Sequence, residues 1–397
     1  MRTVGVEEEY LLVRPDGEVV GVAGAVLAEA AAATDEDDRS LAGHASERPA
    51  GRHGGPRVTE AHGPGDPAPD EPGGDLEAEL KEQMIETGTR PCTDLAALRD
   101  EIGEGRERAA AAARRVGADV AALGTAPPPV VPTLSPGARY REINREFALT
   151  SREQLTCGCH VHVSIADADE GVAVLDRIGP WLPVLLAVSA NSPFWNGQDS
   201  GYASFRSQVW NRWPTAGPVP RFGSAEQYRR VVDDLVATGA ILDTGMIYFD
   251  ARLSARYPTV EVRIADVCLQ ADDAALLAAL VRGLVETAAR SAAAGEPAPD
   301  VRVEQLRAAT WRASRSGLGG DLVSPVTFRP VPAQEAVDQL VTHVRPALED
   351  LGDLEAVTEL LQGPWRRGTG ATRQRAWFAE GGDVGDVVRR ATALTTR

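Results

Sequence analysis

Lysine is almost absent from the chain. Of 41 basic residues only Lys81 is a lysine, and 58 acidic residues leave a formal charge of −17. A bias so uniform points to base composition rather than chemistry, but the sign of the charge is informative. An acidic surface repels phosphate backbones, which excludes nucleic acid as an expected partner. Cysteine is scarce as well: four in 397 residues cannot form a disulfide framework, so a reduced, cytoplasmic protein is expected. Long hydrophobic runs are missing too. None approaches the ~18 apolar residues of a membrane span. The longest, around Trp181–Ala190, contains Pro183 and predicts a buried helix. The N-terminus, MRTVGVEEEY, has three consecutive acids and no apolar signal core, so neither export nor a membrane partner is expected. What remains, 43% hydrophobic and 25% charged residues, is the composition of a globular protein.

Residues 1–20 predict a strand, a turn at Arg14-Pro15-Asp16-Gly17 and a second strand. Residues 44–75 are rich in glycine and proline and predict a mobile loop. An Ala-rich helix is expected over 94–122, with Thr93 or Asp94 as its N-cap. Further strands are expected at 155–165, 246–254 and 259–267, and helices near 170–190 and 224–238. The part from 271 to 397 reads as mostly amphipathic helix. One-sided strands separated by long helices predict an α+β fold with a largely antiparallel sheet.

Three strands carry chemistry on one face only. Alternate residues of a strand point to opposite faces. In CGCHVHV, 157–163, the cysteines share a face with the valines, and His160 and His162 share the other. On a regular strand they cannot ligate one ion together, so the cysteines are core residues and a joint Cys/His zinc site is set aside. In GVEEEY, 5–10, Glu7 and Glu9 share a face and Glu8 goes with Val6 and Tyr10. In TVEVRIADV, 259–267, Glu261 and Arg263 lie opposite Val260, Val262 and Ile264. A fourth segment, ELKEQMIETGT at 79–89, brings Glu79, Glu82 and Glu86; as strand or as helix, Glu82 and Glu86 point together. Carboxylate-rich sets select hard divalent cations, and an arginine beside them suits a phosphate oxygen. The pattern describes a metal–nucleotide site on the open face of a sheet.

These motifs, with LGT at 123–125, RY at 139–140, SANSPFWNGQDSGYASFRSQVW at 189–210 and ATRQR at 371–375, resemble in order those of the bacterial type 2 glutamate–cysteine ligases, also called carboxylate–amine ligases. The resemblance covers nearly the whole chain. It implies one ligase domain over 1–397, with a fold similar to the glutamine synthetase catalytic domain: a curved antiparallel sheet forming a funnel, helices on its convex side. It also implies an ATP-dependent reaction in which the γ-carboxylate of glutamate becomes an acyl phosphate and the amine of cysteine then attacks. Glu7, Glu9, Glu82, Glu86, His160 and Glu261 match the family's ligands for Mg²⁺ or Mn²⁺, with Glu79 near a further acidic position. Arg263 and Glu86 are the expected catalytic residues, and Arg263 and His162 the expected nucleotide contacts. Arg206, Tyr202, Ser204 and Arg139 are the expected substrate contacts. The chain departs from the pattern after LGT, where Ala126-Pro127-Pro128 stand in place of a histidine found in relatives, and this leaves the amine open.

Two other functions compete. An H-x-H zinc hydrolase or oxygenase leaves Glu7, Glu9, Glu82 and Glu86 without a role. A non-catalytic metabolite-binding member of the fold does not need the intact acidic set. Apolar stripes in the C-terminal third offer an interface, and a homodimer is the working expectation for assembly.

Overall fold

The computed structural model describes residues 1–42 and 73–397; the expected loop at 44–75 lies almost wholly outside them. The centre of the fold is β1 (Val4–Val13), ten residues of unbroken strand. Around it stand β2 (Leu76–Ala78), β3 (Met84–Gly88), β4 (Asp119–Ala121), β5 (Gly158–Ser164), β6 (Ala251–Leu253) and β7 (Thr259–Asp266). They form one seven-stranded sheet in the order β2-β3-β1-β5-β7-β6. Every pairing is antiparallel. On one edge of β1, β5 pairs with Val4–Glu8 and β4 takes over at Leu11–Val13. The expected α+β class holds. The expected funnel is realised as an open, uncurled sheet, with β2 and β6 at its edges.

One face of the sheet is apolar. Val4 and Val6 from β1, Cys159, Val161 and Val163 from β5, and Val260, Val262 and Ile264 from β7 pack in one core with the helices Leu182–Ser189 and Ala271–Ala293. Cys159 of β5 is fully buried and free, as alternation predicts, and Cys157, just before the strand, is fully buried and free in a neighbouring apolar cluster. The stretch Ala168–Ser189 is long and apolar enough by composition to cross a membrane, contrary to the expectation that no run approaches that length. Its most apolar window is 72% buried within the protein.

Several expected boundaries moved. The helix predicted for 94–122 is Leu95–Arg115, capped by Asp94, whose carboxylate accepts from Ala97 N at 2.9 Å. It stops seven residues short because Asp119–Ala121 is drawn into the sheet as β4. The second N-terminal strand reduces to one bridge, Val13 to Val19. Ser224 caps the helix Ala225–Ala237 near its expected place.

The middle acid of GVEEEY lies on the core face. Glu8 is buried against Arg106 of the helix Leu95–Arg115, which is also fully buried. Arg106 donates from Nε and Nη2 to the two carboxylate oxygens at 2.9 and 2.6 Å. It also donates to the carbonyls of Cys268 and Thr395 at 2.7 and 3.1 Å, and Tyr10 Oη donates to Glu8 at 2.8 Å. The pair thus ties β1 to a helix, to the end of β7 and to the C-terminus. Arg106→Met leaves a buried carboxylate without its counter-ion and is expected to cost about 3–5 kcal/mol in urea unfolding. Adding Glu8→Leu should restore part of that loss; a single variant as stable as the parent contradicts the assignment.

Candidate active site

The opposite face of the sheet is polar, and register decides which side chains meet there. Glu7 stands opposite His160, and Glu9 opposite Glu86. Glu86 stands opposite Glu77 on β2. His162 faces Glu261 on β7, and Glu261 faces Arg252 on β6. A bulge between Cys159 and Val161 shifts the β5–β7 register, and Arg263 Nη1 comes 3.3 Å from His160 Nδ1. These residues line a cavity of about 260 Å³, whose wall also includes Glu79, Lys81, Arg139, Tyr140, Trp210, Trp213 and Tyr248.

Two clusters result. Glu9, Glu86 and His160 each bring one donor atom within 4.8 Å of the others, and so do Glu7, His162 and Glu261. His160 Nδ1 lies 3.3 Å from Glu7 Oε2, while its buried Nε2 has no hydrogen-bond partner among the described residues and lies 3.9 Å from Glu9 Oε1. His162 Nδ1 lies 3.0 Å from Thr259 Oγ1. Its Nε2 is likewise unpartnered, 3.2 Å from Glu7 and 4.0 Å from Glu261. A ring fixed at Nδ1 with Nε2 aimed at carboxylates is the arrangement a metal-ligating imidazole needs. The donor chemistry, two carboxylates and one imidazole per cluster, fits Mg²⁺ or Mn²⁺.

The charges divide the cavity. Burial and the Arg263 guanidinium push the His160 ring down to about 4, so it stays neutral near neutral pH. Burial alone would lower His162 also, but the Glu7 and Glu261 carboxylates outweigh it and raise the ring. Against their own burial, Glu7 is held well below the usual range by the two histidines, and Glu261 by Arg252 and Arg263. The other half behaves oppositely. Burial and the charge of Glu79 raise Glu9 to about 7, although Arg206 opposes them. Burial and Glu7 raise Glu77 to about 7, and burial with Glu7 and Glu79 lifts Glu86 well above its ordinary value. Carboxyls crowded in this way keep protons until cations replace them.

With this geometry in hand, three comparisons bear on identity. The sequence profile described as glutamate–cysteine ligase family 2 matches residues 3–390. The chain belongs to glutamate–cysteine ligase family 2. A protein provisionally named glutamate–cysteine ligase 2-2 in Frankia alni is 51% identical over 397 residues, all of this chain and 97% of the relative. One provisionally named glutamate–cysteine ligase 2-1 in Streptomyces avermitilis is 49% identical, over all of this chain and 99% of the relative. Among solved structures, a glutamate–cysteine ligase from Francisella tularensis in complex with AMP matches with a TM-score of 0.65 at 11% identity, over all of this chain and 89% of that one. A bifunctional glutathione synthetase from Pasteurella multocida matches at 0.64 and 14% identity, over all of this chain, which spans 52% of that longer one. At such identities the structures establish the fold. As a family 2 member the chain is an ATP-dependent ligase that joins a carboxylate to an amine.

Within this family member the expected site residues separate into two groups. Glu7, Glu9, Glu86, His160, His162, Glu261 and Arg263 meet in the cavity, and Arg139 reaches its wall while paired to Asp243 at 2.9 and 3.0 Å. Glu82 does not line it. It lies in the turn before β3, where its carboxylate accepts from Gly24 N at 3.1 Å at the start of the helix Ala23–Ala42. Arg206 does not line it either. Its buried guanidinium donates to the carbonyls of Ile264 and Arg263 at 3.3 and 3.4 Å. It packs where a Cβ on Gly158 would collide with Nη2, which explains the glycine in CGCHVHV. Ser204 Oγ is used up by Asp266 at 2.7 Å, and Tyr202 stands at Trp311, edge to face at 6.5 Å. The residues missed are Glu77, Arg252 and Lys81. Glu77 shares the alternation of Glu79 in LEAEL and was legible, whereas three-residue β6 is too short to show a face for Arg252.

Because Glu9 and Glu77 are raised to about 7 and Glu86 is lifted well above its ordinary value by burial and neighbouring acids, a divalent cation must displace protons to bind. Apparent Mn²⁺ affinity is therefore expected to rise from about pH 6 to pH 8, with proton release visible by calorimetry in buffers of different ionisation enthalpy. Glu86→Gln should weaken binding and flatten that dependence. Affinity independent of pH in the parent protein contradicts the assignment of these carboxylates as ligands.

Proposed function

We propose that the enzyme uses ATP to activate the γ-carboxylate of glutamate as an acyl phosphate and transfers the acyl group to an amine, that of cysteine in the type reaction of the family. The observation that carries this reading is the pair of carboxylate–imidazole clusters side by side in one cavity, with Arg263 reaching both His160 and Glu261. Glu9, Glu86 and His160 would hold one divalent ion, and Glu7, His162 and Glu261 a second. Such ions, when bound, neutralise the triphosphate so that a carboxylate can approach it.

The chain's own groups supply orientation and charge. The Glu7 carboxylate lies against both imidazoles, at 3.3 and 3.2 Å, and fixes their direction. Arg263 is braced by Glu261 and presents a planar guanidinium suited to the oxygens of a phosphoryl group in transfer. In the first step a γ-carboxylate oxygen attacks the terminal phosphorus and ADP leaves. In the second the amine nitrogen attacks the acyl carbon, sheds a proton, and phosphate leaves with the electron pair of the C–O bond. Glu77, which is outside both clusters and raised to about 7, is suited to take that proton.

Hydroxylamine tests the first step without the natural amine. With ATP, Mg²⁺ and glutamate the enzyme is expected to form glutamyl hydroxamate and phosphate in equal amounts. ATP hydrolysis that ignores glutamate, or product without phosphate release, overturns the reading. A panel of amines in place of hydroxylamine then identifies the acceptor.

A further inference from the structure

Trp210, Trp213 and Tyr248 line the cavity and have no part in the steps above. Trp210 ends the short helix Arg206–Trp210, and its ring centroid lies 4.8 Å from that of Tyr248. The Trp213 ring stands 5.6 Å from Tyr248, and its Nε1 donates to Gln154 Oε1 at 3.2 Å. The Tyr248 backbone is held as well, its N donating to Thr215 Oγ1 at 3.0 Å. The three rings therefore form a fixed corner. Trp213 is buried, whereas Trp210 and Tyr248 keep part of their surface open where they border the cavity.

Two chains of contact set this corner beside Arg263. The Arg206 guanidinium lies over the Trp210 ring, 5.6 Å from its centroid, and donates to the carbonyl of Arg263 at 3.4 Å. Arg252 clasps Glu261 at 2.7 and 3.1 Å, and its Nη1 donates at 2.8 Å to the carbonyl of Ile247, the neighbour of Tyr248. Glu261 in turn pairs with Arg263. The electrostatics agree. Burial raises the Tyr248 hydroxyl against the pull of Arg139, Arg263 and Arg252, and Glu79 adds to the rise. The corner thus adjoins the guanidinium assigned to the phosphoryl group in transfer. The base of a nucleotide is separated from its terminal phosphorus by a ribose and two further phosphates, and lies well away from that group. The molecule that must stand beside the acyl phosphate is the amine.

The chemistry of the corner narrows that amine. Indole and phenol faces cover apolar surface and attract a cation, and an amine arrives as an ammonium ion. A carboxylate on the same molecule fares worse. Each guanidinium whose charge reaches Tyr248 is already engaged with an acid: Arg139 with Asp243 at 2.9 and 3.0 Å, Arg252 and Arg263 with Glu261. Glu79, whose charge reaches the same hydroxyl, repels an anion. We propose that Trp210 and Tyr248 receive the acceptor, and that the acceptor is a primary amine with an apolar body and no carboxylate of its own. The assignment rests on the ligase reading above and names the class of amine which that reading leaves open.

The test uses the full chain with Mg·ATP and L-glutamate, reading phosphate release with each of four acceptors. L-Cysteine and cysteamine differ only in the carboxylate. Butylamine and hydroxylamine both lack it and differ in apolar body. In the parent protein kcat/KM for cysteamine is expected to exceed that for L-cysteine about tenfold or more. Trp210→Ala should lower kcat/KM for butylamine relative to hydroxylamine about tenfold, the loss expected for roughly two buried methylenes, and Trp210→Phe should recover part of it. Tyr248→Leu makes the same comparison where Trp210→Ala does not fold. L-Cysteine used better than cysteamine overturns the proposal. So does an unchanged butylamine-to-hydroxylamine ratio in a folded variant, and so does a rise in KM confined to Mg·ATP, which assigns the corner to the nucleotide base. Each of these leaves the ligase reading standing. No glutamate-dependent phosphate release in the parent protein with any acceptor, hydroxylamine included, sinks both together.

Discussion

Mutual repulsion among buried carboxylates is the constraint on which this molecule turns. Glu7, Glu9, Glu77, Glu79, Glu86 and Glu261 share one cavity, partly shielded from water. Like charges at such separations in a low dielectric cannot all remain ionised unless something positive stands between them. The protein answers in two ways. On the β5–β7 side it supplies Arg252, Arg263 and a raised His162, and Glu7 and Glu261 stay ionised. On the β2–β3 side it leaves the acids to protons, which divalent ions can replace. A cavity poised in this way draws in cations, and with them an anionic nucleotide that it would otherwise repel.

Much of the remaining structure keeps that arrangement in place. The Glu8–Arg106 pair anchors β1 from behind, so the two acids flanking Glu8 are presented from a fixed strand. Asp266, at the end of β7, collects Asn191 N, Ser192 Oγ and Ser204 Oγ at 2.7–2.8 Å. Gln374 then donates to the carbonyl and side chain of Asn191 at 2.8 and 2.7 Å. The long aromatic segment and ATRQR are therefore one scaffold. Its product is the position of Arg206 over Gly158, beside His160.

The sheet, its class and its two faces were readable in the residues because a strand's alternation is local: Val4, Val6, Cys159, Val161, Val260 and Val262 point one way, and Glu7, Glu9, His160, His162 and Glu261 the other. Short elements were not readable. Three residues of β4 inside an Ala-rich stretch carry no period of their own, so the preceding helix was drawn too long. The acids of ELKEQMIETGT could be placed only when the chain's course was known. Glu86 sits in β3 and enters the cavity, while Glu82, in the turn before it, faces another helix's first turn. For Arg206, Ser204 and Tyr202 the motif did not reveal that they stand outside the cavity lining, since a polar residue that holds a loop reads the same as one that holds a substrate.

The sequence by itself determined which side of β1, β5 and β7 each acid and histidine takes, because that depends on the backbone pleat alone. It also carried enough ordered motifs to place the chain in its family. Only the tertiary structure decided the partners. Cross-strand register put Glu9 with Glu86 and His162 with Glu261, and the two histidines of one strand fell into different clusters. Those outcomes depend on pairings between residues up to a hundred or more positions apart, which are selected by the packing of the whole apolar face and leave no local pattern to read.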